Sequence, residues 1–184
     1  MSKHIFMSVG LGLMLFFGMQ PFAVSDNGDL LELSIQDSLK QIGFKKYAKI
    51  KGPSRTIPYI FLAYDEQGNL SGAAAYRKVK SYETITLVTI VSKDSEGYVL
   101  KSVEIPDAEV IKDLKKRLKV INAVKDLKNQ RIYRKNGGKY HKVDAVSGAT
   151  RYQKRIYAAA NYLCKVILKV LMNPPKDPAM QVLE

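Results

Sequence analysis

The chain has 184 residues, 46% of them hydrophobic, with 30 Lys and Arg against 17 Asp and Glu for a formal charge of +13. That length and apolar content suit one domain around one core, and the charge implies an anionic partner without choosing among lipid headgroups, an acidic protein surface and nucleic acid. One cysteine, Cys164, with only His4 and His141 as imidazoles, gives no ligand set for a zinc site, an iron–sulfur cluster or a c-type haem and no internal disulfide, so any redox cofactor is organic.

Met1 to Ser25 carries Lys3 near its start, a nearly unbroken apolar run from Ile5 to Met19, and small residues at Ala23 and Ser25. This is the pattern of a secretory signal peptide with a cut after Ser25. An uncleaved anchor is the rival reading, although the run is short of the ~20 residues a spanning helix needs. Next, Leu31, Ile35, Leu39 and Ile42 recur at helical spacing and predict an amphipathic helix ending near Gly43.

Extended segments follow at Lys46–Lys51, Ile57–Tyr64, Leu70–Val79, Tyr82–Val91 and Tyr98–Glu104. Turns rich in Gly, Asp and Asn separate them as hairpins. Asp107 to Val120 reads as a helix with Val110, Ile111, Leu114 and Leu118 on its core face and Lys112, Lys115, Lys116 and Lys119 outside. A second short helix is expected over Ile121–Gln130, a turn at Gly137-Gly138 and a strand over Lys139–Val146. The last helix, Arg151–Met172, puts Ile156, Ala160, Leu163, Ile167 and Leu171 on one stripe, and Cys164 in its apolar pattern is a small buried hydrophobe. Pro174-Pro175 ends that helix, and residues 174–184 are expected as a mobile tail. Together these predict an α+β fold: a single domain over 26–173, an antiparallel sheet with helices packed on one face. No G-x-G-x-x-G or P-loop is present. The basic residues spread from Lys40 to Lys176 without a reader signature, so nucleic acid is not expected as a partner.

The stretch between the last strand and the last helix, Asp144-Ala145-Val146-Ser147-Gly148-Ala149-Thr150, admits two physical readings. Ser147 or Thr150 caps the helix while Gly148 permits a sharp turn. Alternatively, the helix N-terminus, with its unpaired N–H groups and positive dipole end, holds a phosphorylated group against small side chains.

This stretch resembles the D-x-x-[ST]-G-A-T flavinylation motif of the FMN-binding domain family, which includes periplasmic subunits of sodium-pumping NADH:quinone oxidoreductases and Rnf-type complexes. The resemblance implies FMN joined by a phosphoester to Thr150, installed after export by a Mg-dependent flavin transferase. It implies that Asp144 serves recognition or orients the loop, that Ser147, Gly148 and Ala149 contact phosphate or transferase, and that the isoalloxazine lies against the sheet. The implied role is periplasmic electron transfer to a redox partner protein, membrane-bound or a cytochrome, with an anionic membrane surface as a further partner. No catalytic acid–base pair is expected.

The resemblance extends more weakly over Ile57 to Ile167. Tyr82 fits an aromatic of the family pattern, but Glu83 and Thr84 stand where glycine is usual. Glu104-Ile105-Pro106-Asp107 stands where larger subunits have E-T-P-G, and Arg151-Tyr152 replaces small or hydroxyl residues. These departures keep open a flavin-free exported adaptor, or a domain binding an anionic partner, on the same fold.

Overall fold

The computed structural model describes residues 27–143 and 150–183. The signal segment expected over 1–25 lies outside them. In chain order the elements are α1 (Asn27–Ile42), β1 (Lys46–Ser54), β2 (Ile57–Tyr64), β3 (Leu70–Lys80), β4 (Thr84–Asp94) and β5 (Gly97–Glu104), then a 3-10 turn at Ala108–Val110. After it come α2 (Leu114–Lys125), β6 (Gln130–Arg134), α3 (Arg151–Met172) and β7 (Gln181–Val182).

The strands form one sheet in the order β6-β5-β4-β3-β2-β1-β7, every neighbouring pair antiparallel. From β1 to β6 each strand lies beside its sequence neighbour: short turns join β1 through β5, the longer connection over 105–129 that carries α2 returns the chain to β6, and no crossover is needed. Gly97 opens β5 at φ 150°, where a Cβ would meet the Tyr133 carbonyl oxygen at 2.1 Å. The β4–β5 turn can therefore approach β6 only with glycine there.

Side-chain alternation divides the sheet's two faces. Ile60, Leu62, Ala73, Ala75, Leu87 and Val91 pack with α2 and α3 in one core cluster. Phe61, Ala63, Ala74, Val88 and Ile90 pack on the opposite face with Ile35 and Leu39 of α1. The expected α+β antiparallel architecture is present, but helices cover both faces. Central strands so covered lose their exposed positions: β4 is buried continuously from Ile85 to Ser92, with Thr86, Thr89 and Ser92 buried among the apolar residues. Gly72 makes room for the α1 side, since a Cβ there would meet Phe44 Cζ at 2.5 Å.

Helix α3 supplies the largest apolar face, with Ile156, Leu163, Ile167, Leu168 and Leu171 all buried. Each such side chain stabilises the fold by roughly 1.5–3 kcal/mol through area removed from water.

Four expectations change. Residues 107–111 make only a single turn, and α2 is one helix running past Val120 to Lys125. It packs through Val120, Ala123 and Val124, leaving Leu114 and Leu118 exposed. Gln130–Arg134 is a strand, not the end of a helix. Lys139 to Val143 contains only an isolated bridge, Tyr133 to Tyr140, among the described residues. The tail is docked: β7 pairs with β1 at Lys46 and Tyr47, and the Leu183 N–H donates to the Lys45 carbonyl at 2.9 Å. That pairing covers the outer edge of β1 at its first two residues, which would otherwise present unpaired backbone groups.

Candidate functional site

Thr150 is the N-cap of α3, with φ −65° and ψ 164°. Its Oγ1 accepts from the Gln153 N–H at 3.4 Å, and Gln153 Oε1 accepts from the Thr150 N–H at 2.7 Å. Each side chain thus satisfies a backbone donor that the helix start leaves free, the reciprocal arrangement of a capping box. Thr150 is exposed, and the cap uses its oxygen as an acceptor, so the hydroxyl proton is not committed to it. No acidic residue lies in the first turn of α3. Arg151, Lys154 and Arg155 are exposed there instead. Cations at a helix N-terminus oppose its dipole, and an anion held at this end would relieve both.

The chain before the motif is held to the same helix by Asn161. Its Oδ1 accepts from the Val143 N–H at 2.8 Å and the Tyr140 hydroxyl at 2.7 Å. Its Nδ2 donates to the Val143 carbonyl at 3.0 Å and the Tyr157 carbonyl at 2.9 Å. A buried primary amide with both donors and its acceptor used is a fully satisfied group. The segment between Val143 and Thr150 therefore leaves from one fixed point on α3 and returns to another.

Around the Thr150 end stand aromatic and basic groups from three elements. Tyr82, in the β3–β4 turn, faces Tyr152 with ring centroids 4.2 Å apart and planes tilted by 34°. Lys116 Nζ of α2 lies 5.7 Å from the Tyr82 ring centre. Arg155 Nη1 donates to the Lys80 carbonyl at 3.4 Å. One turn further on, an open groove of about 660 Å³ is lined by Arg77, Lys78, Lys80, Arg155 and Tyr162 among others. The ladder between β2 and β3 ends at Ile60 and Ala75, where Pro58 has no N–H to extend it, so this stretch of β3 is paired with β4 alone.

Of the residues expected at the site, Thr150 is placed as described, while Asp144, Ser147, Gly148 and Ala149 lie outside the described residues. Glu104, at the position of the family's acidic residue, accepts from Ser38 Oγ at 2.6 Å and Ser102 Oγ at 2.5 Å. Ser38 belongs to α1, so Glu104 serves the face opposite α3. Asp107 accepts from the Thr86 N–H at 2.8 Å and the Thr86 hydroxyl at 2.8 Å, closing the edge of β4 where β5 has ended. Glu83 pairs with Lys80 at 3.8 Å.

Sequence reasoning missed Asn161, Tyr140 and Lys116 and treated Tyr152 only as a departure. Asn161 did carry a signal: with Tyr157, Cys164 and Leu168 it lies at helical spacing on the flank of the apolar stripe, and one amide among buried side chains implies a polar partner. Burial pushes the Tyr140 hydroxyl up, with Cys164 adding to the effect, and burial pushes the Cys164 thiol up to about 12. Both stay neutral at ordinary pH, and the thiol is no nucleophile.

Among the described residues, no group of three or more His, Cys, Asp or Glu side chains is placed to hold a metal ion. Nor is any helix of the described residues long and apolar enough to cross a membrane. Comparison with protein-family models, curated proteins and solved structures finds no match to this chain.

Proposed function

We propose that this chain is an exported electron-transfer protein carrying FMN through a phosphoester to Thr150, attached by a Mg-dependent flavin transferase. The observation that carries the reading is the state of Thr150. Its hydroxyl is exposed at a helix N-terminus, the cap leaves its proton unused, and the residues before it resemble a flavinylation motif. An N-cap threonine commonly shares the first two features, since the cap uses its oxygen only as an acceptor; the motif resemblance sets this one apart.

The residues present suit the phosphate end of such a group. Thr150 offers the ester oxygen, and that oxygen can keep accepting from Gln153 after losing its proton. Exposed Arg151, Lys154 and Arg155 supply positive charge, and the Tyr82–Tyr152 pair offers an aromatic surface beside it. FMN supplies transfer of one or two electrons when bound, and the protein sets its exposure and electrostatic surroundings. The basic surface would speed encounter with an acidic redox partner more than it would tighten the complex.

The test is the intact mass of exported protein after co-expression with a flavin transferase, for wild type and Thr150→Ala. An increment of one FMN in the wild type alone supports the proposal; an unmodified wild type removes it.

A flavin-free adaptor on the same fold is the second reading. It is favoured by Glu104 and Asp107, which stand where the family has E-T-P-G but are engaged in bracing α1 and β4. Protein that stays colourless and unmodified under those conditions would favour it.

A further inference from the structure

Helix α2 has an apolar face on which nothing is packed among the described residues. Its inner side is Val120, Ala123 and Val124. On its outer side Leu114 and Leu118, one turn apart, are 60% and 47% exposed. Lys115 and Lys119, likewise one turn apart, lie beside them on the same outward side, since 100° per residue sets each lysine next to a leucine. From Leu114 to Lys125 the helix contains five Lys or Arg residues and no acidic residue. Val110, in the turn before it, is 41% exposed.

We propose that α2 is a membrane-surface helix that lays Leu114 and Leu118 into the headgroup boundary of an anionic bilayer. Three observations favour lipid over a protein partner. The exposed apolar groups are aliphatic, the cations flanking them are mostly lysines, and no acid interrupts the helix. Lysine is depleted in the buried centre of protein interfaces, where aromatic residues and Arg are enriched. Interfacial helices combine the features seen in α2, a narrow apolar face edged by Lys whose alkyl stems lie on the apolar boundary while the ammonium groups reach lipid phosphates.

The inference does not depend on flavin, and a chain without it would bind equally.

The chain contains no Trp, so a single introduced Trp reports only its own surroundings. Full-length Leu118→Trp is titrated with vesicles of phosphatidylglycerol mixed with phosphatidylcholine, and with vesicles of phosphatidylcholine alone. Tyr162→Trp, on the exposed side of α3, is the control. Emission of Leu118→Trp is expected to shift to the blue and to be quenched by brominated acyl chains on the anionic vesicles only. The Tyr162→Trp signal is expected to stay unchanged. Adding Lys115→Gln and Lys119→Gln should raise the lipid concentration needed by about tenfold or more, and high salt should do the same.

Unshifted emission from Leu118→Trp overturns the proposal even if the chain sediments with the vesicles, because the N-terminal segment would then be the anchor. An equal response on neutral vesicles overturns the electrostatic part of it.

Discussion

Replacing Asn161 by Leu keeps the side-chain volume nearly constant and removes four hydrogen bonds: two to Val143 and one each to Tyr140 and Tyr157. The Tyr157 carbonyl keeps its place in the helix, and the Tyr140 hydroxyl, on a half-buried ring, can turn to water. The backbone N–H and C=O of Val143 cannot, since Val143 is 2% exposed. Leaving each buried backbone group unpaired costs about 1–3 kcal/mol, so the expected loss is roughly 2–6 kcal/mol, against a typical total stability of about 5–15 kcal/mol. Urea unfolding measures it, read as a shift in midpoint with an unchanged slope. If the flavin reading is right, Asn161→Leu should also lower the yield of Thr150 adduct in protein that remains folded. A loss below about 1 kcal/mol would refute the clamp, since Val143 would then have found other partners.

Thr150→Ala should weaken the start of α3 by about 1 kcal/mol, while Thr150→Ser keeps the cap and so most of the stability; chemical denaturation of the pair separates the cap from any role in attachment. Asp94 receives Arg131 Nη1 and Nη2 at 2.9 and 2.8 Å, and that guanidinium, helped by the N–H groups of Glu96 and Gly97, holds its carboxyl below the ordinary 3.8. Because the folded value is the lower one, the stabilisation is complete above about pH 3.8 and is lost as pH falls through the folded value. With the carboxylate side chain 36% exposed, solvent screening limits the effect to about 1 kcal/mol; Asp94→Asn should lose it at neutral pH and show a flatter stability profile in acid. Cys164, fully buried and with its thiol pushed up to about 12, should resist thiol reagents in the native protein and react once urea unfolds the chain; fast native labelling would contradict the packing of α3.

Strand positions were legible because hairpin turns carry their own chemistry: Asp65 to Asn69 and Asp94 to Gly97 mark the turns, and the apolar runs between them fix β2 to β5 within a few residues. The second helical layer was written in the same runs, since Ile60 to Tyr64 and Ile85 to Val91 lack the polar alternation of a half-solvated sheet. In α2 periodicity misled. Leu114 and Leu118 are larger than Ala123 and Val124, but the tight approach of α2 to the core uses the smaller pair. Strand β6 has a single buried residue, Ile132, too little pattern to separate an edge strand from a loop. At the candidate site the sequence singled out Thr150 through its motif. The Tyr82–Tyr152 pair, Lys116 above it and the Asn161 clamp join residues 18 to 70 positions apart, and no local pattern encodes such meetings.

The position of the clamps bears on how the departures from the family pattern should be weighed. Both ends of the motif segment are held by α3 itself, Val143 through Asn161 and Thr150 through Gln153. The sheet margin at Glu83, Thr84, Glu104 and Asp107 takes no part in either. If Thr150 carries FMN as proposed, a change at that margin would alter what lies against the ring without moving the Thr150 oxygen, so attachment and the properties of the attached group should respond to different substitutions. Disrupting Asn161 or Gln153 should lower the fraction modified, whereas Tyr82→Leu should leave that fraction unchanged and shift the flavin absorption or potential. A Tyr82 variant that blocks attachment would show that the sheet margin helps to present Thr150, and the division between the two would fail.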